Sequence, residues 1–173
     1  ARGNDLTQAA FHAATTAGLN PALWDQLGKS TWIAEGTAKP ERVVYVFTDT
    51  ECPFCHQLWL AAQSYLWQGK VQMRDVIVAV IAPASLGRGA AVLTAGDPAA
   101  MWRKHERAFG HSTIKPLASM DPHTRAEIEA NKVLMDRLHV VGTPVVVYRD
   151  RNGAIREIQG IPDQAGMQSI FGN

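Results

Sequence analysis

The sequence predicts an α/β domain with a large helical insertion. Three observations carry this. A strand–helix–strand unit spans residues 42–81, a strand–strand–helix block closes the chain over residues 143–171, and the stretch between them is rich in helix-start signals. The only two cysteines, Cys52 and Cys55, fall where the first strand of the unit gives way to its helix.

Composition sets the frame. The chain has 173 residues, of which 46% are apolar, enough for one domain with a hydrophobic core. Charged residues make up 19% and the net charge is +1, so there is no basic excess to track a phosphate backbone, and nucleic acid is a poor partner. The most apolar stretch, "VIVAVIAPA" over residues 76–84, is far shorter than the ~20 residues that span a bilayer. It reads as a buried strand running into a loop. The chain begins "ARGNDL", with no leader visible, which fits a cytosolic protein, a processed mature form or an engineered fragment.

Taken in order, the first 40 residues read as a linker helix and connector, an appendage to the domain over residues 41–173. Leu6, Ala9, Ala10, Ala13 and Ala17 recur at helical spacing and stop at Gly18. Asn20 and Pro21 restart a short helix as cap and first residue, and Gly28 ends it. "STWIAEG" suits a short edge strand. "RVVYVF", rich in β-branched and aromatic residues, suits a buried one. A helix follows over 53–68, closed by Gly69, and "KVQMRDVIVAVI" supplies the second strand, parallel to the first through a right-handed crossover. Residues 83–142 read as mostly helical. Asp97–Pro98 and Asp121–Pro122 are helix starts, and Ile128, Leu134, Met135 and Leu138 give the second of these helices its apolar face. "TPVVVY" and "AIREIQ" flank an Asn152-Gly153 turn as a hairpin, and "DQAGMQSIF" ends the chain as a helix. This order, with C-x-x-C at the first strand–helix junction, is that of a thioredoxin fold carrying a helical insertion and preceded by an N-terminal helical linker.

"CPFC" admits three chemistries: a redox pair, half of a metal site, or a structural staple. A bridge across two residues closes a tiny loop and stabilises little. A structural zinc needs four ligands, and His12, His105, His111, His123 and His139 fall at no useful spacing, so no metal or cofactor is expected. The redox reading has positive support. Cys52 falls at the helix cap with Pro53 in the first turn, so free N–H groups and the positive helix end face its sulfur and favour a thiolate. Cys55 opens the apolar stripe Cys55, Leu58, Trp59, Ala62, Tyr65, Leu66, so its sulfur turns to the core. Cys52 is therefore expected to attack and Cys55 to resolve. Glu51 would oppose the thiolate if its carboxylate lay close. His56 would favour it if charged, but reads more simply as a solvated surface histidine.

"VYVFTDTECPFCHQLW", "GKVQMRDVIVAVI", "DPAAMW", "LMDRLHVVGTPVVVY" and "GIPDQAGMQSIFGN" together resemble, in the same order, the DsbC/DsbG family of bacterial periplasmic thiol:disulfide interchange proteins. The DsbG branch is the better match, from about Trp24 to the C-terminus. The resemblance implies a protein-disulfide reductase or isomerase in the periplasm, with Cys52 as exposed nucleophile and Cys55 as resolving cysteine. Thr143-Pro144 would be the family's Thr-cis-Pro loop, which binds an extended substrate segment, whereas the residues alone suggest an ordinary trans loop. The substrates would be disulfide-bonded or sulfenylated proteins, and the electron donor a membrane-bound DsbD-like thiol reductase. A redox-independent chaperone or binding module is the third function to weigh, with slight support from the five tryptophans. Two tuning differences stand out: Phe54 replaces the branch's tyrosine, and Glu51 stands where an apolar residue is usual. The family's N-terminal dimerisation module has no counterpart in the 40 residues before the catalytic domain, so a chain complete at that end would be a monomer, and isomerase or chaperone action would be weakened.

Overall fold

The computed structural model describes residues 19–172. The alanine-rich stretch from Leu6 to Gly18 lies outside them. Five strands, β1 (Ile33–Gly36), β2 (Arg42–Thr48), β3 (Val71–Ile77), β4 (Val145–Arg149) and β5 (Ile155–Gln159), form one sheet in the order β1-β3-β2-β4-β5. The β2–β3 pair is parallel and the rest are antiparallel. Among the described residues six helices accompany them: α1 (Pro21–Lys29), α2 (Pro53–Trp67), α3 (Pro83–Leu93), α4 (Pro98–Arg107), α5 (Pro122–Asp136) and α6 (Gln164–Phe171).

Side chains alternate across the central strands, so β2 and β4 each feed two cores. Val44, Val46, Val146 and Tyr148 meet Leu58, Trp59, Ala62 and Leu66 of α2 and Met167, Ile170 and Phe171 of α6. Tyr45, Phe47, Val145 and Val147 face the other way, onto Leu23 and Leu27 of α1 and Met135 of α5. A third cluster, Ile33, Ile77, Val92, Trp102 and Ile114, joins α3 and α4 to the β1 edge. Burying such side chains stabilises by roughly 1.5–3 kcal/mol each, and α2 is thereby fixed by its whole apolar stripe.

Several boundaries differ from expectation. The strand expected through residue 81 stops at Ile77 because the buried Asp49 carboxylate captures the amides of Val80 and Ile81, at 2.7 and 3.0 Å. Pro83 then opens a helix, not a loop, with Ser85 Oγ accepting from the Ala82 amide. Helix α1 runs one residue past Gly28, and Ser30 ends it. Residues 83–142 hold three helices, with none over residues 108–121. The last ends at Asp136, so Leu138 packs from beyond it. Within the first 40 residues, α1 buries Leu27 completely and β1 is hydrogen-bonded along β3, so the described part of that segment packs into the layers of the domain.

Candidate active site

Helix α2 begins on a sulfur. Cys52 is its N-cap in extended geometry, and its Sγ accepts from the Cys55 amide at 3.3 Å. Pro53 fills the first helical position, where no N–H is needed. The approach to the cap is held by Asp49, fully buried, whose Oδ1 accepts from the Glu51 amide (2.9 Å) and the Ser85 hydroxyl (2.7 Å) while its backbone carbonyl accepts from the Cys52 amide.

Just before β4, the neighbour of β2, the Thr143-Pro144 peptide is cis, and the Cys52 thiol donates to the Thr143 carbonyl at 3.4 Å. Both cysteines are free thiols and both are buried. Cys52 is 1% exposed, so the exposed nucleophile implied by the family resemblance is not what the structure holds: its sulfur is enclosed between the first turn of α2 and the Thr143 carbonyl. Phe54, 57% exposed, and Val141, fully exposed, stand beside it in the sequence of the same two segments.

The two thiols are driven apart electrostatically. Cys52 is pulled down to about 6, first by the Cys55 thiol donating to the thiolate, and then, against the cost of burial, by the Thr143 hydroxyl and the Cys55 and Phe54 amides. The Thr143 hydroxyl makes no formed hydrogen bond, so its share is that of a nearby dipole. Cys55 is pushed far above the ordinary thiol range by burial, and further by donating to Cys52 and by its negative charge. At neutral pH these shifts favour the thiolate at Cys52 and the protonated thiol at Cys55.

Glu51 and His56 sit differently from expectation. The Glu51 carboxylate is turned onto Arg88 of α3, with the Thr50 hydroxyl at 3.2 Å. His56 is not a solvated surface histidine. Its ring stacks on Phe109 (4.7 Å) and its Nδ1 lies 2.8 Å from Oε2 of Glu106, while burial lowers its pKa. Sequence reading missed Glu106 altogether. This carboxyl is 1% exposed, and burial, with the charges of Glu35 and Cys52, lifts it to about 8. His105 beside it is also buried, its Nε2–H donating to the Thr50 carbonyl at 2.8 Å, so its ring braces the loop before Cys52. The signal available was the odd composition of α4: a charged helix in which Trp102, His105 and Glu106 form the buried face. Among the described residues no cluster could hold a metal ion.

Comparison with known proteins places the chain. The thioredoxin-like domain model matches residues 29–172. The thiol:disulfide interchange protein DsbG of Pseudomonas aeruginosa is 34% identical over 99% of this chain and 67% of its own length, and that of Escherichia coli K12 is 31% identical over 99% and 69%. The chain belongs to the DsbG group of thiol:disulfide interchange proteins. Solved structures agree on the fold. A periplasmic thioredoxin-like protein from Salmonella enterica serovar Typhimurium matches with a TM-score of 0.66, 19% identity and 94% of both chains covered. A linker-deletion variant of ScsC from Proteus mirabilis matches with a TM-score of 0.70 and 19% identity, covering 98% of this chain and 86% of its own.

Proposed function

We propose that this DsbG-like chain exchanges disulfides with protein substrates in the periplasm, with Cys52 as nucleophile and Cys55 as resolving thiol. The observation that carries the assignment is the division between the two sulfurs: Cys52 is lowered to about 6 at a helix start, and Cys55 is raised in the core behind it. The Cys52 thiolate attacks a substrate disulfide and forms a mixed disulfide. Cys55 then loses its proton and attacks the Cys52 sulfur, releasing the reduced substrate. An extended substrate segment pairs with the backbone at Thr143, whose carbonyl already stands 3.4 Å from the reacting sulfur. A membrane-bound thiol reductase of the DsbD type returns the electrons.

Replacing Cys55 with alanine tests this. The variant accumulates mixed disulfides with a disulfide-bonded test protein through Cys52; if neither the variant nor the parent forms adducts, the proposal is wrong. Sulfenylated cysteines are the alternative substrate for the same dithiol. Faster turnover of a sulfenylated protein than of a scrambled disulfide protein would make them the principal one.

A further inference from the structure

Glu106 is a buried titratable group that the exchange reaction as written leaves unused. It sits on α4, against the first turn of α2, and its Oε2 meets His56 Nδ1 at 2.8 Å. His56 is one helical turn beyond Cys52, and its backbone amide donates to the Cys52 carbonyl at 3.2 Å. The other carboxyl oxygen, Oε1, is buried without a partner. Acidic groups face it from two further elements: Glu35 of β1, held by the Trp59 indole N–H at 2.5 Å, and Asp75 of β3, fully buried with an unpartnered Oδ2. The cations nearby are Arg103 and Arg107 of the same helix, which act on Glu35, and Arg88 of α3, which is engaged by Glu51. His105 of α4 is committed to Thr50 and Ser112. No cation among these is paired with Glu106.

We propose that Glu106 takes up a proton when the Cys52–Cys55 pair is reduced and returns it through His56 when the pair is oxidised, so that the pocket carries one negative charge in both states. In the dithiol the charge is on Cys52, and Glu106 is the neutral acid, its O–H donating to the unprotonated His56 Nδ1. The Cys52 charge is among the causes that raise Glu106, next after burial and Glu35, and burial lowers His56, so both shifts agree with a proton held on the carboxyl side of this bond. In the disulfide neither sulfur is charged, and that repulsion on Glu106 is gone.

The balance closes. Cys52 thiolate, Cys55 thiol, neutral Glu106 and a substrate disulfide become the Cys52–Cys55 disulfide, the Glu106 carboxylate and two substrate thiols. Two electrons pass from the cysteine sulfurs to the substrate sulfurs. The substrate S–S bond breaks and the intramolecular one forms. Two leaving thiolates need two protons, of which Cys55 supplies one and Glu106 the other. The Glu106 proton passes to His56 Nδ1 while the proton on Nε2 leaves to solvent, toward which the ring is 22% exposed. Glu106 touches neither sulfur, so it is a positioning residue, acting through charge and through His56.

This inference rests on the Cys52–Cys55 exchange proposed above. The test is the equilibrium of the chain, as parent and as Glu106→Gln, with reduced and oxidised glutathione from pH 6.5 to 8. Without Glu106, oxidation by glutathione disulfide consumes one solvent proton, and the equilibrium constant falls about tenfold per pH unit. With Glu106 supplying that proton, the parent is expected to change by less than about threefold per pH unit. Equal pH dependence in the two proteins overturns the proposal, and a merely structural role for Glu106 predicts that equality. Should the variant not fold, infrared difference spectra of the parent decide. A protonated-carboxyl stretch present in the reduced form and lost on oxidation supports the proposal, and its absence overturns it. A parent whose cysteines glutathione disulfide cannot oxidise would instead refute the dithiol reading itself.

Discussion

Burying Glu106 in the reduced protein should make stability fall as pH rises, and the size of the effect follows from its environment. In the unfolded chain the carboxyl titrates near 4.5; in the fold it titrates near 8. Between these values the native state holds a proton that the unfolded state has released, so ∂ΔG/∂pH for unfolding is negative there. Integrated from pH 5 to 8, the single group costs about 3.5 kcal/mol, a large share of an ordinary domain's stability. Glu106→Gln keeps the shape and a donor toward His56 but cannot ionise. Glu35 and Asp75, raised by burial in the same way, contribute slopes of the same sign that persist in the variant, so the informative quantity is the difference between the two proteins. Urea unfolding under reducing conditions at pH 5, 6, 7 and 8 measures it. The variant's stability should gain on the parent's by about 3.5 kcal/mol across that range. A difference that stays constant to within about 1 kcal/mol would show that Glu106 ionises in the native state as it does in water, and the account of the acid cluster would be wrong.

Further outcomes follow from the same contacts. The Cys52 thiolate, followed by its ultraviolet absorbance, should titrate near pH 6 in the parent and move toward the ordinary thiol range in Cys55→Ala, because the Cys55 thiol is the largest influence on it; an unmoved midpoint would refute that. Glu51→Gln should leave the same midpoint within about 0.3 of the parent, since the carboxylate is engaged by Arg88. A larger fall would show that Glu51 opposes the thiolate after all. Asp49→Ala strands four donors, the amides of Glu51, Val80 and Ile81 and the Ser85 hydroxyl, and should cost at least about 3 kcal/mol in denaturant unfolding. A loss below about 1 kcal/mol would mean that water replaces the carboxylate. Gly89→Ala places a Cβ 2.8 Å from Ile77 Cγ2 in the α3 packing, and the overpacking, about 1–3 kcal/mol, should outweigh the gain in helix propensity of about 1 kcal/mol. An increase in melting temperature would contradict it.

The sequence displayed what is local and periodic. The β-branched and aromatic run in "RVVYVF", the stripe from Cys55 to Leu66 and the Asp-Pro and Asn-Pro helix starts are properties of neighbouring residues, and each became the element it suggested. The unequal positions of Cys52 and Cys55 were legible for the same reason, because cap and stripe are positions within one helix. What stayed hidden depends on distant partners. Nothing near Asp49 in sequence shows that it will end β3 by capturing Val80 and Ile81. Nothing near Glu51 announces Arg88, and nothing near His56 announces Glu106, fifty positions away. Charged residues in a polar helix read as surface; only the packed fold turns His105 and Glu106 inward.

Among the described residues four helices, α1, α2, α4 and α5, start on a side chain that accepts from the first turn, followed by proline; in three of them that side chain is Asn20, Asp97 or Asp121. In α2 the corresponding acceptor is the sulfur proposed to react. The proposed exchange would therefore unfasten and refasten the end of a helix in each cycle, because a sulfur in a disulfide is a poorer acceptor for the Cys55 amide than a thiolate. Hydrogen exchange at that amide becomes a clock for the chemistry, slow in the dithiol and faster in the disulfide. The Cys55 amide that holds the helix start is also one of the groups that make Cys52 acidic.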